Sequence, residues 1–260
     1  FLIGDLARLE MALQHYASDF LIDRAYTLVQ PPLMMNRAAY EGVTDLSDFE
    51  TVMYGIEPDG YHLIATSEHP LTAMRMGEII EPSELPIRMV GTSPCFRREV
   101  GAHGLSDRGI WRVHQFTKVE QIVICRPEDS WAMHEELLSN AKDLWESLGL
   151  HYRVVDICTG DMGTVASRKY DLEAWLPGPG AFKEVVSCSN CTDYQANRLR
   201  MRYRTSEGNS AVHTLNSTAI ATSRALVAIM EQNQLEDGTV SVPEVLRPYM
   251  GGKDTLEPVA

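Results

Sequence analysis

Leu6, Leu9, Leu13, Tyr16 and Phe20 recur at three- and four-residue spacing, which predicts an amphipathic helix from Gly4 to Asp23 with one apolar stripe. The apolar run Tyr26 to Gln30 predicts a short strand, ended by Pro31 and Pro32 because neither has a backbone N–H for a ladder. Residues 36–63 are mixed and polar in their middle, and predict turns with a short helix. From Pro86 the pattern turns to β. IRMVGTSPCFRRE and IWRVHQFTKVEQIVIC flank the glycine-bearing VGAHGLSDRG and predict an antiparallel hairpin, its second strand starting at Trp111. PEDSWAMHEELLSNAKDLWESLGL predicts a helix, with Pro127 near its start, acidic residues in its first turn and Gly149 past its end. HYRVVDICTGD and AFKEVVSC predict further strands, and NSTAIATSRALVAIMEQNQ, nearly all apolar or small, predicts a long buried helix. Hairpin pairing with intervening helices gives an α+β class built on a mainly antiparallel sheet flanked by helices. No repeat, linker or low-complexity tract divides the chain, so 1–260 reads as one domain.

Composition narrows the class. With 260 residues, 44% hydrophobic and 23% charged, the chain has ample material for a buried core and is not a disordered polymer. No apolar run reaches the ~20 residues that span a bilayer. The opening FLIGDLARLE lacks a basic n-region and a small-residue cleavage site, so the expectation is a soluble, cytoplasmic protein. Five scattered cysteines, an odd number, suit a reducing compartment better than a disulfide framework. A formal charge of -13 argues against broad attraction to nucleic acid, so any polyanion must meet a local basic patch. Only five of the 23 basic residues are lysine, a bias that a high-salt cytoplasm or GC-rich coding would each produce.

Period-two alternation from Trp111 to Cys125 places Arg112, His114, Phe116, Lys118 and Glu120 on one face, and Arg97 shares a face with Glu99 on the partner strand. Two arginines, an aromatic ring and carboxylates on a flat sheet suit a nucleotide: guanidinium forks hold phosphate oxygens, the ring stacks on a base, and a carboxylate accepts from an amine. A solvated sheet face laced with salt bridges has the same pattern. Arg224 interrupts the most apolar helix and needs a counter-ion, either an anionic ligand or an internal partner such as Glu99 or Glu184. Glu184 and Ser187 are hard oxygen ligands for magnesium on a polyphosphate, but three-residue spacing puts them on opposite faces of a regular strand, so they converge only at a bulge or strand end. Cys188 and Cys191 form a lone CxxC without a second ligand pair, and read as small core residues rather than a zinc site. No HxxxH, HExxH or GxSxG motif is present.

FRREVGAHGLSDRGIWRVHQFTKVEQ, KEVVSCSNCTDYQANR and LNSTAIATSRAL, with TSEHP and the VQPP strand end, together resemble the catalytic core of the seryl-tRNA synthetase family of class II aminoacyl-tRNA synthetases. The wording is nearest the archaeal and eukaryotic branch, and the likeness runs from about Gly4 to Gly252. It implies serine activation with ATP and magnesium, transfer to tRNA(Ser), no membrane partner, and a homodimer joined through the first helix and strand. It also implies site residues. Arg97 would bind the α-phosphate and serine, Glu99 the adenine amine, Phe116 the base and Arg224 the γ-phosphate, with Val113 and Val185 completing the ATP site. Glu184 and Ser187 would hold magnesium, and Thr66, Glu68, Glu120, Asn216 and Thr218 would read serine; Arg97, Glu184 and Arg224 are the implied catalytic set. Family members carry a helical tRNA-binding arm ahead of this core, and this sequence begins almost at the catalytic helix. An arm-less paralogue that activates an amino acid for another acceptor, such as a carrier protein, and a non-catalytic dimeric binding module are the competing expectations.

Overall fold

The first apolar stripe forms one 18-residue helix, α1 (Asp5–Ile22), which buries Leu9, Leu13, Ala17 and Leu21. The computed structural model describes residues 1–99 and 109–258, so the glycine-bearing turn of the expected hairpin lies outside the described residues. After α1 come β1 (Thr27–Val29), β2 (Met34–Asn36), α2 (Arg37–Val43), α3 (Leu46–Phe49), β3 (Gly55–Ile56), β4 (Tyr61–Leu63), α4 (Glu68–Ala73) and β5 (Ile79–Ile80). The expected hairpin follows as β6 (Ile87–Phe96) and β7 (Gln115–Cys125), then α5 (Ser130–Ser147), β8 (Tyr152–Asp156), β9 (Arg168–Leu176) and β10 (Ala181–Asn190). The chain continues through α6 (Tyr194–Leu199), β11 (Arg202–Thr205), β12 (Gly208–Ala211), β13 (His213–Ala221), α7 (Thr222–Gln232), β14 (Val240–Ser241) and β15 (Thr255–Leu256).

A seven-stranded sheet in the order β1-β6-β7-β13-β10-β9-β8 carries the site. Only its edge pair β1 and β6 is parallel, and every other pairing is antiparallel, as the α+β reading anticipates. One face buries Val90, Val119 and Val123 under α1, α5 and α7. The other buries Met89, Ile122 and Ile124 under α2, α4 and α6. Gly91 lets α4 sit directly on β6, because a Cβ there would come within 2.5 Å of Leu71.

Three expectations need correction. The segment NSTAIATSRALVAIMEQNQ is not one helix: its first part is the central strand β13, and α7 begins only at Thr222. Lying between β7 and β10, β13 is covered on both faces, and such a strand is as uniformly apolar as a buried helix. The second hairpin strand starts at Gln115 rather than Trp111, since Gly109–Trp111 form a 3-10 turn that buries Trp111. Residues 36–63 hold more order than turns, because β2, β3 and β4 form a small sheet.

Candidate active site

Two bulges in neighbouring strands shape the site. Along β10, Glu184 faces Glu173 and Val186 faces Leu172, so Val185 is an extra residue. That single insertion turns the strand's phase, and Glu184, Ser187, Ser189 and Cys191 line the same cavity. The convergence of Glu184 and Ser187 thus comes from the device their spacing demanded. Along β13 the register slips between Thr218 and Ile220, and Asn216, Thr218 and Ala221 line the cavity.

The cavity holds about 390 Å³. Every residue expected at the site lines it: Thr66, Glu68, Arg97, Glu99, Val113, Phe116, Glu120, Glu184, Val185, Ser187, Asn216, Thr218 and Arg224. β7 forms its floor, with Phe116, Lys118 and Glu120 open to the cavity and Ile122 and Ile124 continuing along the same alternating face into the core.

At one end the cations have replaceable partners. The Arg97 guanidinium lies 5.3 Å from the Phe116 ring centroid, and its Nε donates to the Ala65 carbonyl at 3.2 Å. Arg112 Nη1 donates to Glu99 Oε2 at 2.9 Å. Glu99 holds a left-handed φ of 50°, a strained backbone for a non-glycine residue. Arg224, in the first turn of α7, donates through Nη1 to the Glu184 carbonyl at 2.8 Å, lies 3.4 Å from Glu184 Oε1, and stands 5.5 Å from the Trp111 ring centroid. Its internal partner is therefore Glu184, while burial lowers its pKa from the usual guanidinium value.

The other end is enclosed and acidic. Glu120 is 1% exposed and Lys118 6% exposed, and Lys118 Nζ sits 2.5 Å from Glu120 Oε2. Thr218 Oγ1 donates to the same oxygen at 3.4 Å. The ion pair allowed for on a solvated face is present, but it is buried rather than solvated. Glu68, at the start of α4, accepts from Gln195 Nε2 at 3.0 Å. Gln195 also donates to the Val43 carbonyl at 2.9 Å and accepts from Thr214 at 2.6 Å, so α2, α6 and β13 fix this carboxyl together. Burial first, and the nearby Glu120 second, push Glu68 up to about 7. Burial, then Lys118 and Arg97, push His69 down to about 3, and its Nδ1 is buried without a partner among the described residues. Thr66 Oγ1 accepts from the Glu68 N–H at 3.2 Å, and Asn216 Nδ2 donates to Cys191 Sγ at 3.5 Å. Cys188 and Cys191 are both buried.

Sequence reasoning assigned no functional role to Lys118, His69, Gln195 or Asp171. Lys118 shares the alternating face of Phe116 and Glu120, a legible signal. Gln195 and Asp171 carried none, because they meet the site only through tertiary packing. Asp171 faces Ser187 from β9, and burial followed by Glu184 raises its carboxyl to about 6.

Residues 53–233 match the family described as tRNA synthetase class II core domain (G, H, P, S and T). A serine–tRNA ligase of Methanocella arvoryzae is 61% identical over 98% of this chain, which spans 61% of that relative's length. The seryl-tRNA synthetase of Pyrococcus horikoshii complexed with ATP superposes with a TM-score of 0.97 at 52% identity, covering 100% of this chain and 58% of that one. A prolyl-tRNA synthetase of Giardia lamblia shares the fold alone, with a TM-score of 0.81 at 15% identity. Since the family match takes in well over half of the chain, on a sheet that is antiparallel but for one edge pair, the chain belongs to the class II tRNA synthetase core family.

Proposed function

We propose that this chain is the aminoacylation core of a serine–tRNA ligase: it joins L-serine to ATP as seryl-adenylate, and the seryl group then passes to tRNA(Ser). The observation that carries the reading is a single cavity with an arginine and aromatic end suited to ATP and an enclosed acidic end suited to a small hydroxylated ammonium compound. The names of the Methanocella and Pyrococcus relatives, the latter complexed with ATP, support it.

In the first step a serine carboxylate oxygen attacks the α-phosphorus, and the bond to the leaving pyrophosphate breaks. The carboxylate is already ionised at neutral pH, so no general base is needed and catalysis is alignment plus charge neutralisation. Arg97, at the junction of the two ends, neutralises the α-phosphate and holds the serine carboxylate. Arg224 takes the γ-phosphate, Phe116 stacks on adenine, Glu99 accepts from its amino group, and Val113 and Val185 wall the nucleotide. Glu68 and Thr66 receive the serine ammonium, while Glu120, Thr218 and Asn216 read the side chain. In the second step the terminal ribose hydroxyl of tRNA attacks the acyl carbon and AMP leaves.

Glu184 and Ser187 fit magnesium, being two hard oxygen donors turned to one side by the Val185 bulge. No larger cluster of metal-ligating side chains gathers among the described residues, which suits an ion held by one or two protein groups and substrate phosphates. Bound there, magnesium would supply charge neutralisation to the polyphosphate.

The proposed assembly is a cytoplasmic homodimer through α1 and β1. Strand β1 is an edge of the main sheet, and Met11, Ile22 and Leu28 on this side are 57%, 41% and 54% exposed. Sedimentation at micromolar concentration is expected to give a dimer, and a 29.1 kDa species alone would refute that assembly. Serine-dependent exchange of pyrophosphate into ATP tests the activity itself, and absence of exchange with serine while another amino acid supports it would overturn the reading.

A further inference from the structure

Glu120 presents two unequal oxygens to the cavity. Oε2 is taken twice, by Lys118 Nζ at 2.5 Å and by Thr218 Oγ1 at 3.4 Å. Oε1 has no donor among the described residues. Lys118 has Glu120 as its one ion-pair partner among the described residues, and its side chain is only 8% exposed. Leaving such a cation in a protein interior is costly unless it is paired, so its presence is not explained by packing.

We propose, resting on the serine reading above, that Lys118 is a positioning residue for substrate selection: by occupying Oε2 it fixes the Glu120 carboxylate beside a cation and leaves Oε1 as the one acceptor for a substrate hydroxyl. A charge-assisted hydrogen bond to that oxygen is roughly twice as strong as a neutral one, so selection for serine over alanine depends on the cation as well as on the carboxylate. Alanine gains nothing from Oε1 and leaves it unpaired.

Other titratable groups gather around Glu120. Glu68 and His69 approach from α4, and Arg97 follows β6. The Cys95 thiol of β6 and the Cys188 thiol of β10 also feel its charge. These groups act on any amino acid in the pocket. Glu68 in particular would meet the ammonium that serine and alanine share, so its direct effect cancels in the ratio of their kcat/KM values. Its coupling to Glu120 is common to the unsubstituted chain and to Lys118→Met, so comparing the two ratios isolates the cation.

The test is the serine-to-alanine kcat/KM ratio in pyrophosphate exchange, followed from about pH 6 to about pH 8.5, where an unpaired buried carboxyl takes up a proton. In the unsubstituted chain the ratio is expected to stay flat. Lys118→Met keeps most of the stem and removes the charge. Its ratio should fall about tenfold at the acid end and recover as the pH rises, because proton uptake at Glu120 is no longer opposed. A merely structural role would lower activity without that pH-dependent recovery of selectivity. Glu120→Gln should collapse the ratio at all pH values, and adding Lys118→Met to it should change nothing further.

A Lys118→Met ratio within about threefold of the unsubstituted chain throughout would overturn the proposal, as would a loss that does not recover. An unsubstituted ratio that itself falls at the acid end would also refute it. If Lys118→Met alone does not fold, Lys118→Gln, which also removes the charge, is followed through the same pH series. Should Glu120→Gln leave the ratio intact, it is the assignment of Glu120 to the hydroxyl that fails, a result distinct from failure at Lys118.

Discussion

The two ends of the cavity hold their charges differently. At the end proposed for the nucleotide, Arg112 leans on Glu99 and Arg224 on Glu184, with side chains 35% and 14% exposed in the first pair and 21% and 49% in the second. At the amino-acid end, Lys118 and Glu120 are 8% and 2% exposed in their side chains, and Glu68 is held by a glutamine that ties three elements together. Exposed pairs are weak and exchange partners readily, whereas a buried pair is expensive to break. On the proposed function, the arginine and aromatic end would trade internal partners for phosphate, and the enclosed acidic end, already assembled in the free chain, would suit recognition of something as small as serine.

Arg97 stands where the two ends meet, so its loss should be the most damaging. Arg97→Ala is expected to lower the exchange rate about a hundredfold to a thousandfold, by analogy with losing one preorganised donor to a developing charge, with thermal unfolding little changed. Exchange within about threefold of the unsubstituted chain would remove Arg97 from the junction.

Glu68 sharpens the comparison through pH. Its carboxyl sits at about 7, so the group that should receive the ammonium ionises as the pH rises through that value. Serine KM is expected to fall as pH rises from about 6 to about 8, by up to tenfold per unit on the acid side, while the KM for ATP stays level. Glu68→Gln should flatten that profile. The stability sign is opposite: a carboxyl raised above its unfolded value stabilises the free chain at low pH, and that contribution is lost as pH rises through about 7.

The smallest effect belongs to the exposed pair. Arg112→Ala removes an interaction worth about 0.2 to 1 kcal/mol, so the KM for ATP should rise only a few-fold and serine KM should not move. A large change in serine KM would dissolve the distinction between the two ends.

The sequence was most legible where a local pattern also decided the tertiary outcome. The α1 stripe, the β6 and β7 hairpin and α5 followed from period and punctuation. It was least legible where burial on both sides erased the period, as in β13, and where alternation was partly charged, as in β9 with Lys169, Asp171 and Glu173. The site residues quoted from motifs all line one cavity, yet the means of gathering Glu184 with Ser187 lay in a bulge that spacing demanded without locating. Lys118 appeared in the sequence only as one member of the alternating face with Phe116 and Glu120. Its burial, which turns a routine surface pair into part of the pocket, is a property of the folded sheet.

The Val185 bulge also sets a rule for anyone rewriting this strand. Even-numbered Glu184 contributes to the cavity before it, and odd-numbered Ser187, Ser189 and Cys191 contribute after it, while Cys188 packs into the opposite core. A replacement composed in strict alternation, the natural template for a designed sheet, would keep ten residues of good β-formers in place. It would also send Ser187 and Ser189 from the pocket wall through to the far side of the sheet.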